Sequence, residues 1–433
     1  MKLKEYQITG VNKKLEILSK YNAVYNAYEM GLGKTAMTIA CLKELKPKNV
    51  LIVCPASLVF NWSEEFFNWN NELEEYIQVI TSSKDKYLNK KITIVSYSLI
   101  INNKIHSCVI NHKPEVIVFD EAHYLKNIKS KRSSTCLSLS LQMKAKTFFL
   151  SGTPLTNRPL DLFPICQFFT YRGLRNADMQ SYWPYVKRYC NAKPGRFGWD
   201  VTGASNLEEL KKYLSLFMVR EEKKNVMKEL PSKIYRTIPI IFDTEKARNY
   251  AIETKQLIAD DGSEINLEKL KFEEHIAAAR KILGELKVKA AAEYIKSLLE
   301  EKQKIVVFAW HKNVIDGLKE QLIDFVSITG DSSSSDRQRA VSEFQNNSNI
   351  KLFIGNIAAA GIGITLTAAD HVVMVEHDWT PALNEQAEDR IHRIGQERVC
   401  IIDYLVVKNS LEQKVYNLIK SKKMVIDEVI RAA

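Results

Sequence analysis

The sequence predicts an α/β protein built as two doubly wound parallel-sheet lobes with helical insertions between them. Three observations carry this expectation. The chain has 433 residues, more than one hydrophobic core usually organises. Short, β-branched, continuously apolar runs recur in two groups, separated by amphipathic helical stretches, as expected of parallel strands buried on both faces. Several runs end directly on residues that do chemistry, and in open parallel sheets ligands bind beyond the strand C-termini.

In the first group, Val50-Leu51-Ile52-Val53-Cys54 stops at Pro55 and Ile92-Thr93-Ile94-Val95 at Ser96. Val116-Ile117-Val118-Phe119 stops at Asp120, and Thr147-Phe148-Phe149-Leu150 at Ser151. The second group comprises Ile305–Phe308, Phe325–Ile328, Lys351–Ile354, His371–Val375 and Ile401–Val406, with Ser332-Ser333-Ser334-Ser335 as a loop. Between the groups, residues 155 to 300 read as helical and charged, with helical periodicity over Glu208–Met218 and Glu285–Glu301 and an exposed turn at Asp260-Asp261-Gly262-Ser263. Leu230-Pro231 and Ile238-Pro239 interrupt that pattern and place the lobe boundary. The first lobe is expected over 1–235 with a helical protrusion at 160–230, the second over 236–433 with an opening helical segment at 244–302.

Composition narrows the class. An apolar fraction of 45% with 26% charged residues describes an ordinary globular chain. A net charge of +11 suits a polyanionic partner, without choosing between nucleic acid, an anionic membrane surface and solubility. Met1-Lys2-Leu3-Lys4-Glu5-Tyr6 contains no apolar signal region, and no run is long enough to span a bilayer. Cys41, Cys54, Cys108, Cys136, Cys166, Cys190 and Cys400 form no C-x-x-C pair and read as reduced thiols. His112, His275 and His371 lack ligand spacing.

Gly31-Leu32-Gly33-Lys34-Thr35 precedes a helix-compatible run, Ala36–Leu45. Amides of a Gly-rich loop at a helix start cradle phosphates, Lys34 reaches the terminal ones, and Thr35 holds Mg²⁺. The formal pattern wants glycine where Tyr28 stands. Asp120-Glu121-Ala122-His123 follows a buried strand, with Asp120 as a Mg²⁺ ligand and Glu121 as the base that orients and deprotonates water. Ser151-Gly152-Thr153-Pro154 closes the next strand, and its hydroxyls are placed to bond His123 and report nucleotide state. Near the C-terminus, Leu383–His392 is free of Gly and Pro, so Arg390 and Arg393 are expected at i and i+3 on one helical face. Two adjacent guanidiniums suit a shared polyphosphate. Phosphate loop and arginine pair together suggest a nucleotide held between the lobes.

The chain resembles the Snf2 family of helicase-like ATPases over essentially its whole length. The likeness rests on Tyr6-Gln7, Glu29–Thr35, Cys54–Val59 with Asn61-Trp62, Ser96-Tyr97-Ser98-Leu99, Asp120–His123 with Leu125-Lys126-Asn127, Ser151–Asn157 and Gln386–Gln396. Arg188-Tyr189-Cys190, Gly198-Trp199-Asp200, Gly203–Leu210, Val307–Lys312, Gly361–Thr367 and Trp379-Thr380-Pro381 resemble the annealing-helicase (HARP-related) branch. The resemblance implies RecA-like lobes, ATP and Mg²⁺ as cofactors, and DNA as partner, duplex or branched. It implies that Gln7 reads adenine, that Gly31, Leu32, Gly33, Lys34 and Thr35 hold the phosphates and metal, and that Arg390 and Arg393 reach the γ-phosphate, with Gln386 facing the same pocket. Strand-tracking positions map to Ser57, Tyr97, Lys126, Asn127, Asn157, His311, Lys312 and Thr365.

Two departures stand out. Tyr28 replaces a common Asp, and Glu221 replaces a second Arg after Arg220, which weakens one expected contact of the inter-lobe region. Tyr182–Tyr189 with Lys193, Arg196, Phe197 and Trp199 interleaves basic and aromatic residues, suiting either nucleic-acid stacking or, slightly favoured, a protrusion with an aromatic core. No wedge hairpin is evident. The expected function is an ATP-dependent double-stranded DNA translocase, against a strand-separating DNA or RNA helicase or an ATP-gated clamp. The expected setting is cytoplasmic, or nuclear in a eukaryote, for a monomer targeted by partner proteins.

Overall fold

The computed structural model describes residues 2–69, 76–195, 198–227, 229–240, 273–360, 363–408 and 410–430. The predicted turn at Asp260–Ser263 and residues 244–272 of the predicted helical segment lie outside them, and the rest of that segment contains the helix Glu273–Glu301. Two compact units are present: Met1–Lys228 with Lys423–Ala433, and Glu229–Lys422.

The first unit holds β1 (Ala23–Asn26), β2 (Val50–Cys54), β3 (Ile77–Ile80), β4 (Ile92–Ser96), β5 (Val116–Asp120) and β6 (Lys146–Leu150). A separate antiparallel hairpin, β7 (Lys193–Gly195) with β8 (Gly198–Asp200), precedes the two-residue β9 (Met218–Val219). The main sheet runs β3-β4-β2-β5-β6-β1-β9, parallel throughout. Every predicted strand is found. Those not anticipated have weak signals: β1 is four residues wedged between a helix and a glycine loop, and β3 at the sheet edge buries only alternate residues. Met218 was predicted at a helix end, but the helix stops at Leu214 and Met218 pairs with Tyr25 of β1.

Aromatic packing organises this core. Phe149 on β6 stacks on Phe119 of β5 at 5.5 Å and meets Phe168 edge-on at 5.1 Å. Tyr25 of β1 approaches it at 6.2 Å. Val429 and Ile430 at the end of the final helix join the same cluster.

The second unit is a parallel sheet of β10 (Lys233–Ile240), β11 (Ile305–Ala309), β12 (Phe325–Ile328), β13 (Leu352–Asn356), β14 (His371–Met374) and β15 (Cys400–Val407), ordered β10-β15-β14-β11-β13-β12. Alternate residues of the central strands belong to two separate apolar clusters, so both faces are covered. Ser333 caps the helix Ser334–Asn346, accepting from the Asp336 amide at 3.2 Å, so the serine loop ends in a helix start.

Residues 233–240, read from Pro239 as a break, form β10. Proline is tolerated because β10 is an edge strand. A buried polar group anchors it: Arg236 on β10 grips Asp403 of β15 bidentately at 2.6 and 2.7 Å, while His371 and Tyr294 each bond the same carboxylate at 2.6 Å. Burial opposes ionisation of Asp403, yet these hydrogen bonds hold its carboxyl well below the usual range. The seven cysteines are free thiols, six of them buried. No helix among the described residues is long and apolar enough to cross a membrane.

Because Phe149 is fully buried at the meeting point of three strands, Phe149→Ala should destabilise the first unit by about 3–5 kcal/mol. Thermal or urea unfolding followed by tyrosine and tryptophan signals checks this.

Candidate functional site

Parallel register gathers the first unit's motifs. Asn26 of β1 pairs with Leu150 of β6, which pairs with Asp120 of β5, so three motif-bearing loops leave the sheet at one level. The loop after β1 leads into the helix Lys34–Leu45, beginning slightly earlier than predicted. Gly31 and Gly33 both have φ +80°, where L side chains are strained. A Cβ on Gly33 would lie 2.3 Å from Gln7 Nε2, and one on Gly152 would meet Met30 Cγ at 2.4 Å and Lys34 Nζ at 3.2 Å. The Ser151-Gly152 loop therefore lies directly against the phosphate loop. Gln7, on the helix Glu5–Tyr21, is buried and donates to Leu32 O at 3.1 Å. Lys34 Nζ donates to Tyr28 O at 3.0 Å and Glu29 O at 3.3 Å. Arg220 ties the two loops together, donating to Ala27 O at 2.8 Å and Gly152 O at 3.2 Å.

Tyr28 explains how the loop tolerates a missing glycine. Its ring is buried away from the loop, under Lys14 Nζ at 4.2 Å, and only its carbonyl meets Lys34. Lys14 is fully buried and donates to Gly10 O at 3.2 Å and Met37 Sδ at 3.3 Å. Burial pulls its pKa from the ordinary 10.5 down to about 7.

At the end of β5, Asp120 Oδ2 accepts from Trp62 Nε1 at 2.8 Å and Oδ1 from the Glu121 amide at 2.9 Å. Burial, then the neighbouring Glu121 charge, push the Asp120 carboxyl up to about 6, opposed by Trp62 and Lys34. Two adjacent carboxylates beside a loop lysine fit a divalent cation, which would relieve that repulsion. Glu121 holds left-handed backbone, φ 49° and ψ 53°, a strained conformation for a non-glycine that re-aims the chain beyond the strand. His123 Nδ1 lies 3.2 Å from both Glu121 Oε2 and Ser151 Oγ, and Ser151 Oγ accepts from the Thr153 amide at 3.1 Å. The His123–Ser151 contact is present as anticipated.

The expected strand-tracking positions divide. Ser57, Lys126, Asn127 and Lys312 are exposed, whereas Asn157, His311 and Thr365 are half-buried. Lys126 Nζ donates to Thr156 Oγ1 at 3.2 Å, and Lys312 pairs with Asp331 at 2.7 Å. Tyr97 is a correction: it is buried, stacks on Tyr124 at 5.4 Å and donates to Asp120 O at 2.8 Å, so its ring supports the acidic loop and offers no surface to a strand. Thr365 Oγ1 accepts from Arg393 Nη1 at 3.3 Å.

The arginine motif also departs from expectation. The helix Pro381–Glu388 stops before both arginines, which lie in the turns that follow. Its end is held from outside: Glu388 accepts from Tyr404 OH at 2.6 Å and Tyr235 OH at 2.8 Å, and the Leu366 amide takes the Arg390 carbonyl at 2.8 Å. Arg390 Nε and Arg393 Nε donate back to the carbonyls of Gln386 and Asp389, each at 2.9 Å, serving acceptors that a terminating helix leaves over. Arg390 is buried, and its Nη1 reaches Ile364 O at 3.3 Å. Both guanidiniums thus rest on the 364–365 loop. Gln386 is buried beside them.

Comparison with known proteins follows these motifs. The model of the SNF2-related domain matches residues 6–289, and that of the helicase conserved C-terminal domain matches residues 287–395. The chain belongs to the SNF2-related family. It is 33% identical over 411 residues to the SWI/SNF-related matrix-associated actin-dependent regulator of chromatin subfamily A-like protein 1 of Drosophila melanogaster, covering 93% of this chain and 53% of that protein. It is 34% identical over 425 residues to the human DNA annealing helicase and endonuclease ZRANB3, covering 92% of this chain and 38% of that one. The SNF2-related chain thus spans about half the length, or less, of these curated relatives. A solved Sulfolobus solfataricus SWI2/SNF2 ATPase core in complex with dsDNA aligns with TM-score 0.47 and 26% identity, over 100% of this chain and 94% of that one.

For this SNF2-related chain, sequence reading missed several supporting residues. Nothing in the motif around Trp62 signals its bond to Asp120. Arg220 has no local signal for its role in joining the two loops, and its neighbour Glu221 turns to its own segment, accepting from Asn225 Nδ2 at 2.9 Å. Glu376, which belongs to no sequence motif, accepts from the His311 amide at 2.8 Å and from His311 Nδ1 at 2.6 Å, setting that ring's orientation. Burial opposes ionisation of Glu376, but His311 holds its carboxyl below the usual range.

Two outcomes follow. Trp62→Phe removes a bond that favours ionised Asp120, so the Asp120 carboxyl should titrate at higher pH than in wild type, measured by carboxyl NMR between about pH 5 and 8. For Lys14, the folded pKa near 7 lies below the unfolded 10.5, so the unfolded chain holds more protons between them and stability rises with pH. Lys14→Met should therefore melt higher than wild type at pH 7, with the gap closing towards pH 10 in calorimetric scans.

Proposed function

We propose that the chain is an ATP-dependent double-stranded DNA translocase that couples ATP hydrolysis, giving ADP and phosphate, to DNA tracking, remodelling or strand annealing. The observation that carries this reading is the alignment of Asn26, Leu150 and Asp120, which sets phosphate loop, acidic pair and Ser151–Thr153 loop at the C-terminal ends of adjacent strands. The glycine cradle, Lys34 and the buried Asp120 suit a nucleotide with Mg²⁺. In this reading Gly31, Leu32, Gly33, Lys34 and Thr35 hold the phosphates, Thr35 and Asp120 the metal, and Gln7 and Gln386 the remainder of the nucleotide. Bound Mg²⁺ supplies charge neutralisation at the transferred phosphoryl group.

Glu121 orients the attacking water and takes its proton. His123, within reach of both Glu121 and Ser151, couples the acidic pair to the Ser151–Thr153 loop. Arg390 and Arg393 act on the developing γ-phosphate charge, as the family motif suggests. Ser57, Lys126, Asn127, Asn157, His311, Lys312 and Thr365 grip strand phosphates without reading sequence. DNA as partner is supported by the motif pattern and by relatives named for DNA annealing and chromatin regulation. The reading also makes the chain a monomer acting on DNA in the nucleus or cytoplasm, directed by partner proteins.

The test is the ATPase rate with no nucleic acid, with duplex, forked and single-stranded DNA, and with RNA. Duplex DNA should raise turnover, and Glu121→Gln should lower it by about 10²–10⁴-fold. Arg393→Lys should leave ATP affinity near wild type while depressing DNA-stimulated turnover. Equal stimulation by RNA overturns the DNA assignment, and equal slow turnover of wild type and Glu121→Gln leaves an ATP-gated clamp.

A further inference from the structure

The basic and aromatic protrusion separates into two layers. Tyr185 and Tyr189 point inward and are fully buried, with Tyr185 OH donating to Pro159 O at 2.6 Å and Tyr189 OH to Glu209 at 2.7 Å. They hold the helix Tyr182–Tyr189 to the core. Trp183, on the same helix, and Trp199, on β8, point the other way, 47% and 48% exposed, and meet edge to face at 5.5 Å. Two adjoining tryptophans left half in water contribute little to folding for their size.

Their mounting is fixed. The segment after β8 is tied to the end of the helix: Ser205 Oγ and Asn206 Nδ2 each donate to Arg188 O at 2.7 Å, and the Ser205 amide donates to Tyr189 O at 3.0 Å. The nearby charges sort by sign. Asp200 accepts from the Thr202 amide and hydroxyl, and Glu209 is taken by Arg188 at 2.5 Å. Lys187 and Lys193 are exposed and make no ion pair among the described residues; Lys187 Nζ stands 5.8 Å from the centre of the Trp199 ring. The exposed face therefore offers aromatic surfaces flanked by cationic donors. Arg196 and Phe197 lie outside the described residues.

We propose that Trp183 and Trp199 form a stacking platform for an unpaired base of single-stranded DNA, with Lys187 and Lys193 on the adjoining phosphates. Every base has a π-face and every nucleotide a phosphate, so this pairing of side chains suits a single strand without regard to sequence. In duplex DNA the bases are already stacked, and the platform gains nothing. The proposal deepens the DNA-translocase reading and rests on it for the choice of DNA as partner; it assigns this face the unpaired strand of a fork or annealing junction.

The test compares wild type, Trp183→Ala/Trp199→Ala and Trp183→Phe/Trp199→Phe in anisotropy titrations with oligo(dT) of about 20 nucleotides and blunt duplex of about 20 base pairs, long enough to span the roughly 4–16-nucleotide sites of single-strand binders. The double alanine variant should bind oligo(dT) about 5- to 150-fold more weakly, equivalent to losing one stacked base. Its duplex affinity should stay within about twofold and its melting temperature should be unchanged, while the phenylalanine pair restores most single-strand binding. Equal oligo(dT) affinity of wild type and alanine variant overturns the proposal and leaves the face to a protein partner. Equal losses for oligo(dT) and duplex overturn it too. Failure of the motor reading is seen separately, as absent stimulation of wild-type ATPase by duplex DNA.

Discussion

The parallel register of β1, β6 and β5 is the constraint on which the rest of the site depends. Three loops, after Asn26, Asp120 and Leu150, converge because those residues share one level of the sheet. That register is held by the packing of Tyr25, Phe119 and Phe149 around one point, since a one-residue slip would turn each ring to the opposite face. The chemistry-bearing groups are then positioned with little freedom: Asp120 between Trp62 and the Glu121 amide, His123 between Glu121 and Ser151, and Gly152 against Lys34. Charge placement follows from packing.

Much of the fold was legible because buried parallel strands have a strong signature. Val50–Cys54, Val116–Phe119 and Ile305–Phe308 have no amphipathic reading that competes with strand. The motifs were equally plain, because a glycine loop, an acidic pair after a strand and an arginine pair are local features of the chain. Legibility failed where long-range contacts override local pattern. β10 carries Pro239 and polar residues, and is a strand because Arg236 finds Asp403 across 167 positions of sequence. Tyr97 reads as a surface residue in a polar motif, but its hydroxyl meets the Asp120 carbonyl. Nothing local in the chain marks the hairpin β7–β8, whose strands have three residues each.

The arginine motif shows a different kind of override. No residue between Leu383 and His392 breaks a helix, yet the helix ends at Glu388. The side chains of Arg390 and Arg393 take carbonyls that further helical turns would have bonded, and Lys233 at 2.5 Å from Asp389 fixes the cap residue. The same guanidiniums that suit an anion are thereby engaged in shaping the backbone that presents them, with Nη1 of each also bonded to the 364–365 loop.

The turning away of the Tyr28 ring has its own consequence for how the phosphate loop is tuned. Lys34 donates to the carbonyls of Tyr28 and Glu29, which are main-chain atoms present whatever side chains those positions carry. Any anion that recruits this ammonium competes with the peptide backbone, and substitution can alter that competition only by moving the loop itself. Position 28 is thereby released from the phosphate chemistry, and its side chain became available to cover a buried lysine instead. A rule that demands glycine there describes one way of presenting the carbonyl; this chain presents the same carbonyl with the side chain packed on Lys14.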